Sequence, residues 1–390
     1  MLLSTADWDN PFWTNKQHVA LELARRGHPV LYVDSIGLRA PTLTGRDIRR
    51  IWDRLKRGFR PPRRVRDNLW VWSPLVLPFQ DRALVRRLNR MVLGLGLRVW
   101  PRILGFSPRL LWTYSPLTTR YLDPDRFGVT VYHAVDDIAA QPGMPADLIR
   151  RGEATLCAAA DIVFTTARDI QRRLEPHNPR THYFSNVADF DHFNRAVASD
   201  TRVPEDLLRI AGPRIGFIGA ISSYKLDFGL IAALARARPD WSFVFIGAVG
   251  EGDPLTDVSE VSAIPNIHLL GARAYDSLPA YLKGMDVTIL PNRLNDYTRG
   301  MFPMKFFEYL ASGRPVVSVP LPALEDYGHV AAFAPDAPAF VACIEEALGG
   351  CCPALEVRLD AAREQTYARR TKRMMDLVET VLRPGPPSQA

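Results

Sequence analysis

The segment Pro303-Met304-Lys305-Phe306-Phe307-Glu308-Tyr309-Leu310-Ala311-Ser312-Gly313-Arg314-Pro315-Val316-Val317 sets an amine and a carboxylate three residues apart. Residues at i and i+3 share a side of a helix, so Lys305 and Glu308 face the same way, near the helix's positive end. Pro303 suits a first helical turn, Phe306, Phe307, Leu310 and Ala311 form the apolar face, and Gly313 ends the helix. Such a pair serves a polar ligand or a surface ion pair equally well, and spacing alone does not choose. A second group follows a strand exit. Gly216-Phe217-Ile218-Gly219-Ala220 leads into Ser222, Ser223 and Lys225, hydroxyls and an ammonium suited to a phosphate, although a glycine at a strand end also makes a plain turn. In the first half, His133 closes an apolar run, with Asp136 and Asp137 next in the same loop.

Other chemistries are excluded or disfavoured. Gly-x-Gly-x-x-Gly is absent, and Gly247-Ala248-Val249-Gly250-Glu251-Gly252 has its spacing reversed, against a nicotinamide or flavin site. The P-loop pattern is absent too. Cys157, Cys343, Cys351 and Cys352 have neither metal-ligand nor disulfide-framework spacing. Asp123-Pro124-Asp125 and Asp189-Phe190-Asp191 read as turns and caps, so no metal site is expected. No window holds 18 uninterrupted apolar residues, and the first residues lack a basic n-region. A cytoplasmic protein is the expectation, with the inner face of the plasma membrane as a peripheral station.

The chain of 390 residues, 47% apolar and 23% charged, has the length of two domains. Apolar runs at 2–4, 30–34, 69–72, 110–114, 129–133, 162–165 and 181–184 alternate with helical patterns at 15–26, 81–99 and 146–158. The alternation restarts with runs at 215–218, 243–246, 267–269, 287–290 and 316–319, and helices at 226–236, 278–283, 304–311 and 338–348. The fold class is therefore α/β, two Rossmann-like parallel-sheet domains at 1–190 and 191–382, with a disordered tail at 383–390. Two such sheets in series leave a cleft lined by the carboxyl ends of their strands. Residues 1–200 hold 30 basic and 20 acidic side chains, whereas 201–390 hold 19 and 22. Ten of the basic ones lie in 46–66, against only Asp47 and Asp53. The segment 46–67, with Trp52 and Phe59, reads as an excursion outside the first sheet.

With Asn186-Val187-Ala188-Asp189…Phe193, Arg238-Pro239-Asp240-Trp241, Pro265-Asn266-Ile267-His268-Leu269-Leu270-Gly271 and the C-terminal Tyr367…Arg370, these motifs resemble a GT-B glycosyltransferase. The resemblance is to the retaining, nucleotide-sugar-dependent family 4, in a bacterial branch making surface polysaccharide, and it extends over about residues 1–382. It implies an N-terminal acceptor domain and a C-terminal donor domain whose last helix crosses back to the first. Glu308 matches the family's second glutamate, an acceptor for the nucleotide ribose. The first, which meets the donor sugar, falls at Gly300 and is missing. Asn295, Thr298, Arg299 and the backbone N–H groups of Phe302, Pro303-flanked, and Met304 are the substitutes. Lys225 falls where the family faces the donor pyrophosphate, and its companion arginine falls at Ala220, leaving Lys305 or Arg299 to replace the charge. Gly219, Ser222 and Ser223 complete the donor set. Asn15, Lys16 and Gln17 occupy the place of a glycine-rich loop, and His133, Asp136 and Asp137 a cleft position beside the transferred sugar.

The implied donor is a UDP- or GDP-sugar, with no prosthetic group or required metal, and the implied acceptor is a glycan or lipid-linked glycan. With retention the leaving phosphate takes the acceptor proton, whereas inversion would make His133 or Asp136 the base. The basic excursion and the stretch 84–104, rich in Leu, Val and Arg, suit an anionic membrane surface, while 84–104 also reads as a buried core helix. No nucleic-acid reader motif accompanies the basic residues. A GT-B-like nucleotide-sugar epimerase and a degenerate membrane-associated scaffold remain as alternatives.

Overall fold

The strands fall into two separate sheets, one in each of two units. Residues 1–184, together with the chain from Thr371 onward, form the first unit, and Ser185–Arg370 form the second. The computed structural model describes residues 1–10, 13–36, 58, 60–75, 83–251, 253 and 255–382. Most of the basic excursion, including Trp52 and Phe59, the start of the helix expected from 81, and the tail from 383 lie outside the described residues.

In the first unit the strands are β1 (Leu2–Leu3), β2 (Val30–Val33), β3 (Arg63–Arg66), β4 (Leu69–Trp72), β5 (Leu110–Thr113), β6 (Val129–Ala134), β7 (Ile162–Thr165) and β8 (Thr181–Tyr183). Their spatial order is β3-β4-β2-β1-β5-β6-β7-β8. All neighbours are parallel except β3 and β4. Alternation along each strand divides the core. Leu2, Tyr32, Val71, Trp112 and Val131 face one layer, while Leu3, Leu31, Trp72 and Leu111 face the other. Met374 and Val378, from the helix Tyr367–Val381, complete the first layer.

Arg63–Arg66 corrects the reading of 46–67 as lying outside the sheet, because its end pairs antiparallel with β4. Asn68, at φ 57°, makes the tight return possible. Three of the four strand residues are exposed arginines, as a charged sheet edge requires.

The second unit contains β9 (Arg214–Ile218), β10 (Ser242–Ile246), β11 (Ile267–Gly271), β12 (Val287–Leu290), β13 (Val316–Ser318) and β14 (Ala332–Phe333). They form an all-parallel sheet in the order β11-β10-β9-β12-β13-β14. The chain reverses its direction of travel across the sheet between β9 and β12. Ligands of open parallel sheets bind at the carboxyl ends of strands at such a point. The unit begins at Ser185 because Asn186 donates to the Phe302 carbonyl at 2.6 Å and the Ala188 amide donates to Gln365 at 3.1 Å. Residues 185–190 thus fasten to the second unit, six residues earlier than the interdomain boundary expected from the sequence.

Candidate active site

The loops leaving β9 and β12 hold most of the sequence-derived donor set. At the end of β9, Tyr309 is fully buried. Its hydroxyl accepts from the Ile218 amide at 2.8 Å and donates to the Ile218 carbonyl at 3.1 Å, fixing the helix Lys305–Ala311 against β9. Gly219 follows, and its amide bonds the Ile246 carbonyl at 2.9 Å. Gly247 has φ +155°, and a Cβ there would lie 1.8 Å from the Gly219 carbonyl oxygen, so only glycine fits. The Ser222 carbonyl accepts from the amides of Lys225 and Leu226, both at 3.0 Å, closing a tight turn.

The β12 loop is laced to this turn. The Lys225 carbonyl accepts from the Arg293 amide at 2.9 Å and Asn292 Nδ2 at 3.2 Å, and Asn295 Nδ2 donates to the Tyr224 carbonyl at 2.8 Å. Asn295 also caps the turn Asp296–Arg299 in a reciprocal box with Thr298, whose hydroxyl donates to the Arg293 carbonyl at 2.6 Å. Asn295 and Thr298 therefore hold the loop in shape. Ser223 donates to Asp253, which also accepts from Thr256 at 3.1 Å. Arg299 is exposed and pairs with Asp296 at 3.2 Å. Gly300 ends the Asp296–Arg299 turn.

Three groups in these loops keep chemistry in reserve. The Lys225 ammonium sits 5.3 Å from the Tyr224 ring and 5.9 Å from the Tyr297 ring, with no ion pair among the described residues. Ser222 Oγ and Asn292 Oδ1 are buried without a hydrogen-bond partner among the described residues. An unmet buried polar atom costs about 1–3 kcal/mol, and a polar ligand entering these loops would meet two of them.

Glu308 is buried and accepts from Lys305 Nζ at 2.7 Å. Burial raises its carboxyl above the ordinary 4.5, Lys305 opposes the shift, and the charge of Asp189 adds to it. The phenols of Tyr275 and Tyr367 are also pushed well up, first by burial and then by the carboxylates of Glu308 and Asp189. Asp189 itself caps the helix Phe190–Asn194. The stacked pair Tyr275 and His192 lies 4.2 Å apart at 9°. Phe302 lies flat on Phe307 at 5.4 Å, with Pro303 buried and Met304 half-buried after it.

Within the first unit, three of the expected residues gather around Tyr114. The Lys16 ammonium lies 5.8 Å from its ring, the His133 imidazole 4.9 Å away, and its hydroxyl donates to the Asn15 carbonyl at 3.4 Å. Asn15, Lys16 and His133 are all buried. Gln17 is a clamp: its carbonyl accepts from the Thr14 amide and hydroxyl, and its amide donates to Asp7, each at 3.1 Å. Asp136 is half-buried in the loop after β6. Asp137 pairs with Arg150 at 2.7 Å and approaches Arg173 at 4.0 Å, in a network that reaches Glu153 and the Tyr132 hydroxyl.

Sequence reasoning missed Asn292, Tyr224, Tyr297, Asp253 and Tyr275. A lone asparagine or tyrosine in a loop has no spacing signature. A strand-end asparagine one residue past Pro291 was the faint available signal for Asn292.

The two parallel sheets define a GT-B fold. Sucrose-phosphate synthase from Thermosynechococcus elongatus has a TM-score of 0.69 at 14% identity, over 97% of this chain and 98% of that one. The Anabaena HepE protein in complex with UDP-glucose gives 0.64 at 14%, over 97% and 98%. Residues 212–349, within the second unit, match the family model "Glycosyl transferases group 1". A Bacillus subtilis protein, TuaH, named as a teichuronic acid biosynthesis glycosyltransferase, is 29% identical over 177 residues. That match spans 45% of this chain and 42% of the relative.

Proposed function

We propose that the protein transfers a glycosyl group from a nucleoside diphosphate sugar to an acceptor hydroxyl, with retention of anomeric configuration, in the synthesis of a surface polysaccharide. The observation that carries this reading is the pair of laced loops at the β9–β12 switch point, which among the described residues present an ammonium without an ion pair and two unmet buried polar atoms; Glu308, on the helix that Tyr309 fixes to β9, adds a buried carboxylate. Lys225 faces the diphosphate, Ser222 and Asn292 donate to or accept from the donor's polar groups, and Glu308 accepts from the ribose hydroxyls. UDP is the favoured nucleotide because HepE, of like fold, binds UDP-glucose. The surface-glycan assignment leans on the name of the Bacillus subtilis relative.

In the reaction the bond from the anomeric carbon to the β-phosphate oxygen breaks, and a bond to the acceptor oxygen forms on the same face. The acceptor proton passes to the departing phosphate. Lys225, with Lys305 in support, offsets the charge that grows on the leaving group, and preorganised cations of this kind are the largest lever a site has on such a step. Lys16 and His133, gathered around Tyr114, are the first unit's own candidates for holding the acceptor, a glycan or lipid-linked glycan. Synthesis from a cytosolic nucleotide sugar places the protein in the cytoplasm.

The test is thermal stabilisation by UDP, GDP, TDP and ADP and their sugars. A selective rise lost in both Lys225→Ala and Glu308→Ala supports the donor site, because ligand at about 100 times its dissociation constant adds roughly 2.7 kcal/mol. No rise with any nucleotide sinks the reading. NMR of the product anomeric proton decides retention.

A further inference from the structure

The helix Ala83–Ile103 is half a core helix. Asn89, Leu93 and Leu97 are buried, and Gly96 lets it close on Trp72, whose ring atoms would stand 2.1 Å from a Cβ there. This corrects the reading of 84–104 as a buried core helix. On the opposite side Leu84, Leu88, Met91 and Leu95, at i, i+4, i+7 and i+11, form a stripe roughly 16 Å long. Their exposures are 78%, 38%, 62% and 61%. Ile103 adds a fifth exposed side chain at 65%, so this one helix holds five of the thirteen large exposed apolar residues among the described residues. No other described helix or strand holds more than two of them.

The charges on the helix itself are of one sign; Asp123, across the adjoining cavity, pairs with Arg126 at 3.7 Å. Arg87, Arg90, Arg98 and Arg102 are exposed on the same helix, and no acidic residue occurs from Arg82 to Leu122. Next to the stripe opens a cavity of about 650 Å³, where Met91, Leu95, Arg98 and Arg102 meet Arg126 and Phe127. Arginine beside apolar surface suits a phosphate joined to acyl chains. A symmetric second copy would bring arginine against arginine, which costs rather than stabilises.

We propose that the outer face of the helix Ala83–Ile103 is a docking surface for an anionic phospholipid bilayer. Leu84, Leu88, Met91 and Leu95 enter the boundary between headgroups and acyl chains, the arginines take headgroup phosphates, and the cavity gives one headgroup a recess in which Arg90, Arg98 and Arg102 outnumber the one carboxylate, Asp123. The assignment rests on the first unit alone and stands apart from the donor chemistry.

The experiment is co-sedimentation of the full chain with vesicles of phosphatidylcholine alone or of phosphatidylcholine and phosphatidylglycerol at about 3:1, in low and high salt, with circular dichroism and the thermal unfolding midpoint as the fold control. The expected result is binding to the anionic vesicles that weakens with salt. Leu84→Ser/Met91→Ser/Leu95→Ser should abolish it. Arg87→Gln/Arg98→Gln should lower partitioning roughly thirtyfold, as two surface-bound arginines imply. Absence of binding to the anionic vesicles, or equal binding by wild type and the arginine variant, overturns the proposal. So does a concentration-dependent dimer of the wild type that the triple-serine variant loses, which would give the stripe to a second copy.

Discussion

Lys305 and Glu308 form a short, partly sheltered ion pair, and the burial of Glu308 decides what that pair can do. Burial favours the uncharged acid, so the raised carboxyl takes up a proton at a pH where a free glutamate stays ionised. Folding therefore gains least from this group above its raised value, and its contribution to stability falls as pH rises from about 4.5 through that value. The proposed contact of Glu308 with a ribose runs the other way, because a hydroxyl donates most strongly to the charged acceptor. Nucleotide affinity should fall as pH drops from 7 through that same window, and Glu308→Gln should flatten the dependence; calorimetric titration across pH checks both. On the proposed reading Lys225 donates to the diphosphate, and loss of such a charged donor costs about 1.5–3 kcal/mol. Lys225→Ala should thus weaken nucleoside diphosphate binding by roughly tenfold to a hundredfold or more, and leave free nucleoside binding nearly unchanged.

Elements place these side chains through a few specific bonds. Tyr309 joins the helix Lys305–Ala311 to Ile218 by both amide and carbonyl. Tyr309→Phe would strand a buried amide, at about 1–3 kcal/mol, so urea unfolding should shift by that amount and nucleotide affinity should drop with it. Gly247→Ala meets the Gly219 carbonyl directly, and the variant should fold poorly or lose the β9 loop; circular dichroism and expression yield report it. The residues that the pattern made visible here were those with periodicity or a terminus to mark. Phe306, Phe307 and Leu310 fell on the apolar face expected of them, and Gly313 has the positive φ of a helix end. β14, only Ala332–Phe333, carried too short a pattern to register. β3 was masked by its charge, because an edge strand with arginines on it lacks the apolar alternation by which strands are read.

On the scale of the whole molecule, the chain leaves the first unit after Phe184 and returns to it at Thr371. The return is structural, because Met374 and Val378 are buried in the first unit's core. Met374→Ala should cost about 2–5 kcal/mol, and hydrogen exchange should quicken in β5, β6 and β7 while β9 and β10 stay protected. A uniform quickening in both sheets would refute this division. No described helix is long and apolar enough to cross a membrane.

The sequence by itself determined the α/β class, the run of parallel strands, the Lys305–Glu308 helix and the Ser222–Lys225 loop, because periodicity, glycine placement and helix termini are local properties of the chain. Tertiary structure alone decided that Asn292 and Ser222 keep buried polar atoms unmet, that Asn295 and Thr298 serve the loop's shape, and that the helix Ala83–Ile103 buries one face and bares the other. Burial and hydrogen-bond satisfaction depend on which distant strand or loop lies opposite, and no spacing along the chain records that.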